Sequence, residues 1–140
     1  MHIKDKSILF SPSDLITFLD SHFASHMERS LLEDQRFFEL MDPKDLMLQN
    51  LQSKGYEHES DFLNSLIEEG KNVLKIKNSE YELMISHTKA AMSSGVDVIA
   101  QACLQLDNFV GFADFLIKVP GKSNLGEYQY EVWDTKLSKR

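Results

Sequence analysis

The sequence predicts an α+β (mixed α/β) fold, with N-terminal helices followed by a three-stranded antiparallel meander. Three observations carry that reading. Apolar residues recur at helical spacing through the first half of the chain. Strand-like runs separated by short turn signals fill the last third. The two patterns are segregated along the chain rather than interleaved, which is the mark of α+β organisation.

The first helix opens at "SPSDLITFLDSHFASHMERSLLED". Ser11 is a capping residue, Pro12 suits the first turn, and Asp14 stands three residues after the cap. Leu15, Phe18, Leu19, Phe23 and Met27 then recur at helical spacing. "MDPK" breaks the pattern at Pro43. A second helical region runs from about Lys44 to Glu69, with Gly55 as an interruption point and Gly70 as the stop. "KNVLKIKN" fits either a short strand or an extended connection. "YELMISHTKAAMSSG" reads as extended at first, then as a short helix or turn ending at Gly95. "VDVIAQACLQL" and "FVGFADFLIKV" are strands joined by a tight hairpin at Asp107–Asn108. "PGKSNLGE" reads as a loop and "YQYEVWDTKL" as the third strand.

The 140 residues suggest one domain, residues 1–140, large enough for its own core. Hydrophobic content of 42% with 26% charged residues is that of a globular chain, not a disordered one. No apolar run approaches the roughly 20 residues that cross a bilayer, so no membrane association is expected. The N-terminus lacks a secretory signal, and the single cysteine, Cys103, allows no intrachain disulfide. Together these point to a reducing, cytoplasmic setting. A net charge of −7 argues against a generic basic coat for nucleic acid, though not against a local site.

One cluster stands out. Asp114 interrupts an apolar strand, and Asp134 and Lys136 follow on the next strand in "EVWDTK". Strand interiors disfavour carboxylates. Alternation puts Val132, Asp134 and Lys136 on one face, with Glu131, Trp133 and Thr135 on the other. A short antiparallel connection brings Asp114 beside Asp134. The plain alternative is a surface salt bridge between Asp134 and Lys136. Two carboxylates and a lysine on adjacent apolar strands suit metal-assisted phosphodiester hydrolysis, in which carboxylates hold Mg²⁺ or Mn²⁺ and a lysine orients water or stabilises the transition state. On the second helix, Glu59 falls near the middle of the stripe formed by Phe62, Leu63, Leu66 and Ile67, and His58 lies at its edge. The alternative for Glu59 is an exposed acid in a frayed first turn.

"GFADFLIKV" followed by "YEVWDTKLSK" resembles the nuclease motifs of the RecB-like branch of the PD-(D/E)XK superfamily. "KGYEHESDFL" is similar to the upstream helical motif of that branch, and the N-terminal segment is similar to that of bacterial RecB-family nucleases. The resemblance covers nearly the whole chain. It implies a restriction-endonuclease-like core and a Mg²⁺- or Mn²⁺-dependent deoxyribonuclease of repair or recombination, exonucleolytic or endonucleolytic, with DNA as partner. It implies His58, Asp114 and Asp134 as metal ligands and Thr135 as a further donor through its carbonyl. Asp114, Asp134 and Lys136 would be the catalytic set, with Glu59 and Gln101 in support. A histidine ligand favours Mn²⁺. No iron–sulfur cluster is expected, because one cysteine cannot hold it. The motif's leading proline is replaced by Ala113. In the superfamily a helix and a further strand follow the acid-x-lysine strand, so the chain reads as truncated before them. Longer members of the subgroup it resembles can carry helicase-like regions, which no residue here shows. An uncovered sheet face would favour self-association. The competing reading is a catalytically silent remnant that binds DNA or another protein.

Overall fold

The computed structural model describes residues 1–40 and 46–135, and it is a mixed α+β structure. The expected break at Pro43, the helix start at Lys44, and Lys136 lie outside these residues. The chain falls into two compact units: Met1–Lys44 with Gln105–Gly111, and Asp45–Leu104 with Phe112–Arg140.

The first unit opens with a two-stranded antiparallel ribbon, β1 (His2–Lys4) and β2 (Ser7–Leu9). Its turn residues Asp5 and Lys6 both take positive φ, 48° and 65°, as a tight hairpin requires. α1 (Pro12–Asp20) begins as the sequence indicates. The Asp14 carboxylate accepts the Ser11 N–H at 2.6 Å, and the Asp14 N–H donates to Ser11 Oγ at 3.4 Å, closing a capping box. The carboxylate also receives the Met1 ammonium at 2.7 Å. Burial would raise the Asp14 pKa, but the ammonium and the Ser11 hydrogen bonds outweigh it and hold the group below the usual range. The expected continuous helix breaks at Ser21, which has extended backbone and caps α2 (His22–Glu33) by accepting the Ala24 N–H at 3.1 Å. A serine hydroxyl competes with helical hydrogen bonding, and here it restarts the helix. A 3₁₀ turn, Gln35–Leu40, follows. The hairpin tip joins this unit through Phe10: its N–H donates to the Asn108 carbonyl, and its own carbonyl accepts the Val110 N–H, both at 2.8 Å.

The second unit contains α3 (Leu46–Glu68), β3 (Val73–Lys75), α4 (Tyr81–Ser93), β4 (Val98–Leu106), β5 (Phe109–Ser123) and β6 (Gly126–Trp133), the hairpin tip excepted. The sheet has four strands in the order β3-β4-β5-β6, not three. β3 adds a parallel strand, with Val73 opposite Val98 and Lys75 opposite Ala100, so β4 is covered on that side. Gly55 does not interrupt α3, and Gly70, at φ 80°, ends it as expected.

α4 is the main departure from the sequence expectation. It is helical from Tyr81, with no extended start. Met84, Ile85, Thr88 and Ala91 are all buried, a spacing that keeps one helical face in the core. The Thr88 hydroxyl accepts the Cys103 N–H at 3.1 Å and donates to the Met84 carbonyl at 2.8 Å. β5 also runs further than expected, through "PGKS", with a register shift between Pro120 and Ser123 that accommodates the proline. β6 ends at Trp133, so Asp134 and Thr135 follow the strand instead of lying within it.

Phe62, Leu63 and Leu66 of α3 pack on Val98, Ala100 and Phe115. Phe62 meets the Phe115 ring edge-on at 5.1 Å and stacks on Trp133 at 6.3 Å. Leu116 points to the opposite face and is equally buried, at 2% exposure for each, so the expected uncovered sheet face is not found at the centre of β5. The exposed large apolar residues on this sheet are Leu74, Leu106, Phe109, Phe112, Val132 and Trp133.

The C-terminal end of α4 is clasped by the sheet. Tyr128 Oη donates to the Met92 carbonyl at 2.8 Å, Tyr130 Oη to that of Val96 at 2.6 Å, and Lys118 Nζ to that of Gly95 at 3.0 Å. These donors satisfy one carbonyl of the last helical turn and two of the turn that follows it. Gly95 turns the chain at φ 69°, and a Cβ there would stand 3.4 Å from Lys118 Nζ. Burial, then Tyr128 and Asp97, push the Tyr130 hydroxyl up to about 12.

Candidate functional site

Within the second unit, the pairing of β5 with β6 sets the site. Phe115 stands opposite Trp133, so the next position along brings Asp114 opposite Asp134. With Asp114 protonated, the two carboxyl groups can share a hydrogen bond. Asp114 is half-buried and Asp134 exposed. Burial, the Asp134 hydrogen bond and the charges of Glu59 and Asp134 push the Asp114 carboxyl up to about 7, against a smaller opposing effect of the Thr135 N–H, which donates to it.

Glu59 comes from α3 and is half-buried. It accepts a hydrogen bond from Gln101 Nε2 at 3.0 Å. Gln101 lies within β4 at φ 54°, a left-handed conformation uncommon for a residue other than glycine. Such a local irregularity re-aims a side chain, and here it sends the amide to Glu59. The structure thus brings together Asp114, Asp134, Glu59, Gln101 and Thr135. The Thr135 Oγ1 is shielded from solvent with no hydrogen-bond partner among the described residues.

His58 is not drawn in by any described contact. It is exposed, one residue before Glu59 and therefore about 100° around the helix. α3 reaches Phe115 and Trp133 through Phe62. No group of three or more His, Cys, Asp or Glu side chains among the described residues is set to hold a metal ion. The donors that do converge are two carboxylates with a third acid's charge nearby. That set suits a hard divalent cation that keeps most of its waters, as Mg²⁺ does. It does not suit a caged site.

A cavity of about 400 Å³ opens beside this cluster, lined by Tyr56, Glu59, Lys75, Asn78, Gln101 and Phe112. Its floor is Ile76 and Met84. It lies where β3 ends, beside the Gln101 irregularity. The carboxyl ends of parallel strands are where open α/β sheets place ligands. Sequence reasoning placed none of Tyr56, Lys75, Asn78 and Phe112 in a site, because none carries a motif. Their convergence depends on β3 pairing in parallel with β4.

No helix among the described residues is long and apolar enough to cross a membrane. No family model, curated protein or solved structure matches the chain.

Proposed function

We propose that the chain is a metal-dependent deoxyribonuclease with a PD-(D/E)XK-type core of the RecB-like branch. The observation that carries this reading is the pairing of Asp114 with Asp134 under the charge of Glu59, three acids drawn from distant parts of the sequence. Holding like charges together in a partly buried place is unfavourable for an empty fold. A divalent cation removes that penalty and gains two oxygen ligands.

The bound cation, Mg²⁺ or Mn²⁺, would lower the pKa of a water and offset charge on the phosphate. The protein's own contribution is positional. Asp114 and Asp134 would hold the ion, displacing the shared proton. The Thr135 N–H fixes the Asp114 carboxylate, and Gln101 fixes Glu59. Lys136, two residues after Asp134, would orient the attacking water or stabilise the developing charge. Water then bonds to phosphorus, the bond to the leaving oxygen breaks, and the leaving oxygen takes up a proton.

Cleavage of labelled DNA with Mn²⁺ or Mg²⁺, beside an Asp134→Ala chain, tests the proposal. Metal-dependent cutting by the wild type that is lost on substitution supports it. Equal cutting by both, or none by a folded wild type in either metal, removes it.

A further inference from the structure

The cavity beside the acidic cluster has a composition of its own. Two aromatic side chains in its wall are largely solvent-exposed, Tyr56 at 67% and Phe112 at 52%. Phe112 is backed by Tyr81, with ring centroids 6.0 Å apart, so its ring is supported. Exposed and supported aromatic faces inside a concavity offer a stacking platform, which a core residue does not. Asn78 and Gln101 add amides, each with both donors and acceptors. Lys75 adds a positive charge at the end of β3. Glu59 belongs both to the cavity and to the carboxylate cluster, so an occupant of the cavity reaches the site where the phosphodiester would be cut.

A purely apolar ligand would leave the amides and the lysine without use. A simple anion would not call for two aromatic rings. Flat rings, amide edges and a cation together match a nucleobase with its phosphate. At about 400 Å³ the cavity is of small-ligand size and does not admit a duplex. We infer that this cavity seats one unpaired nucleobase of the strand being cut, in contact with both the Tyr56 and Phe112 rings, with Lys75 at an adjoining phosphate. The inference rests on the nuclease reading and narrows its substrate to DNA with an unstacked base at the cleavage position. Aromatic stacking is tolerant of sequence, because every base has a π-face, so little base preference is expected.

The test uses the 140-residue chain, in Ca²⁺, with two probes: a ten-nucleotide thymidine strand and an abasic strand of equal length. The wild type should bind the thymidine strand at least about tenfold tighter than the abasic strand, within the roughly five- to hundred-fold range of base–aromatic stacking. Tyr56→Ala and Phe112→Ala should each reduce that preference to about threefold or less, and the combined substitution should abolish it. Each variant should retain the wild-type circular dichroism spectrum and its thermal shift with Mn²⁺. Equal wild-type binding of the two strands overturns the inference, as does an undiminished preference in folded variants. Base-dependent binding without any DNA cleavage would uphold the cavity and remove the nuclease reading. Cleavage without base-dependent binding would do the reverse.

Discussion

Replacing Asp114 by asparagine should make the metal-free protein more stable at pH 8 and leave it unchanged near pH 4. Folding lifts the Asp114 carboxyl from its usual 3.8 to about 7, chiefly by burial and then by Asp134 and Glu59. The folded chain therefore holds this proton where the unfolded chain has released it. Stability falls as pH rises whenever the folded state binds more protons. The contribution of Asp114 is fully present below about pH 4 and is lost as pH climbs through about 7. A shift of about three units corresponds to about 4 kcal/mol for a fully buried group. Asp114 is only half-buried and its partner Asp134 is exposed, so water screens the interaction and about 1–2 kcal/mol is the working figure. The Asp114→Asn side chain has nearly the same shape, cannot ionise, and can donate to Asp134. Urea unfolding followed by circular dichroism in EDTA, at pH 3, 5, 6.5 and 8, reads the difference. The two chains should coincide at the acid end and diverge by about 1–2 kcal/mol at pH 8, or about 3–8 °C in Tm. Asp14 titrates in the opposite sense and at lower pH, and both chains share it. Parallel stability curves across this range would refute the argument, as would a less stable Asp114→Asn chain at pH 8.

Further outcomes follow from the same geometry. Millimolar Mn²⁺ or Mg²⁺ should raise the wild-type Tm at pH 8, by about 2.7 kcal/mol of stability if the ion is at 100 times its Kd, and the shift should weaken below pH 7 as the proton on Asp114 competes; a calorimetric pH series reads this. Thr88→Val should lower stability by about 1–3 kcal/mol in urea titration, since it strips the buried Cys103 N–H of its acceptor. Gln101→Gly should change stability by less than about 1 kcal/mol, because relief of the φ 54° backbone offsets the lost bond to Glu59; metal-dependent DNA cleavage should nevertheless fall, as timed gel assays would show.

Local signals explain what was legible in the sequence. The Ser11–Pro12–Asp14 cap, the Asp107–Asn108 hairpin and the stop at Gly70 each depend on residues adjacent in the chain, and each is found in place. Asp114 and Asp134 could be paired from strand alternation and a short connection alone. What escaped depends on distant partners or on weak local chemistry. The β1–β2 turn is built from Asp5 and Lys6, with no glycine to mark it. β3 is a three-residue strand that exists through its parallel pairing with a segment 25 residues later. The helical start of α4 is carried by burial of Met84 and Ile85, and Glu80 makes no side-chain cap hydrogen bond to announce it. The cavity was invisible for the same reason, since Tyr56, Lys75, Asn78 and Phe112 are gathered by topology.

The tyrosine clasp on α4 has a bearing on the acidic pair. Lys118 stands opposite Tyr130, and Asp114 and Asp134 lie four residues further along each strand in the same register. A two-residue slip of β6 would preserve its inward and outward faces and so go unopposed by the hydrophobic pattern. It would also carry Asp134 about 7 Å away from Asp114. Tyr128 and Tyr130 forbid it, because their hydroxyls reach the Met92 and Val96 carbonyls only in the native alignment. The helix end thus serves as a fixed gauge against which the outer strand is measured. Loosening that gauge, far from either carboxylate, would misalign the two acids without touching them.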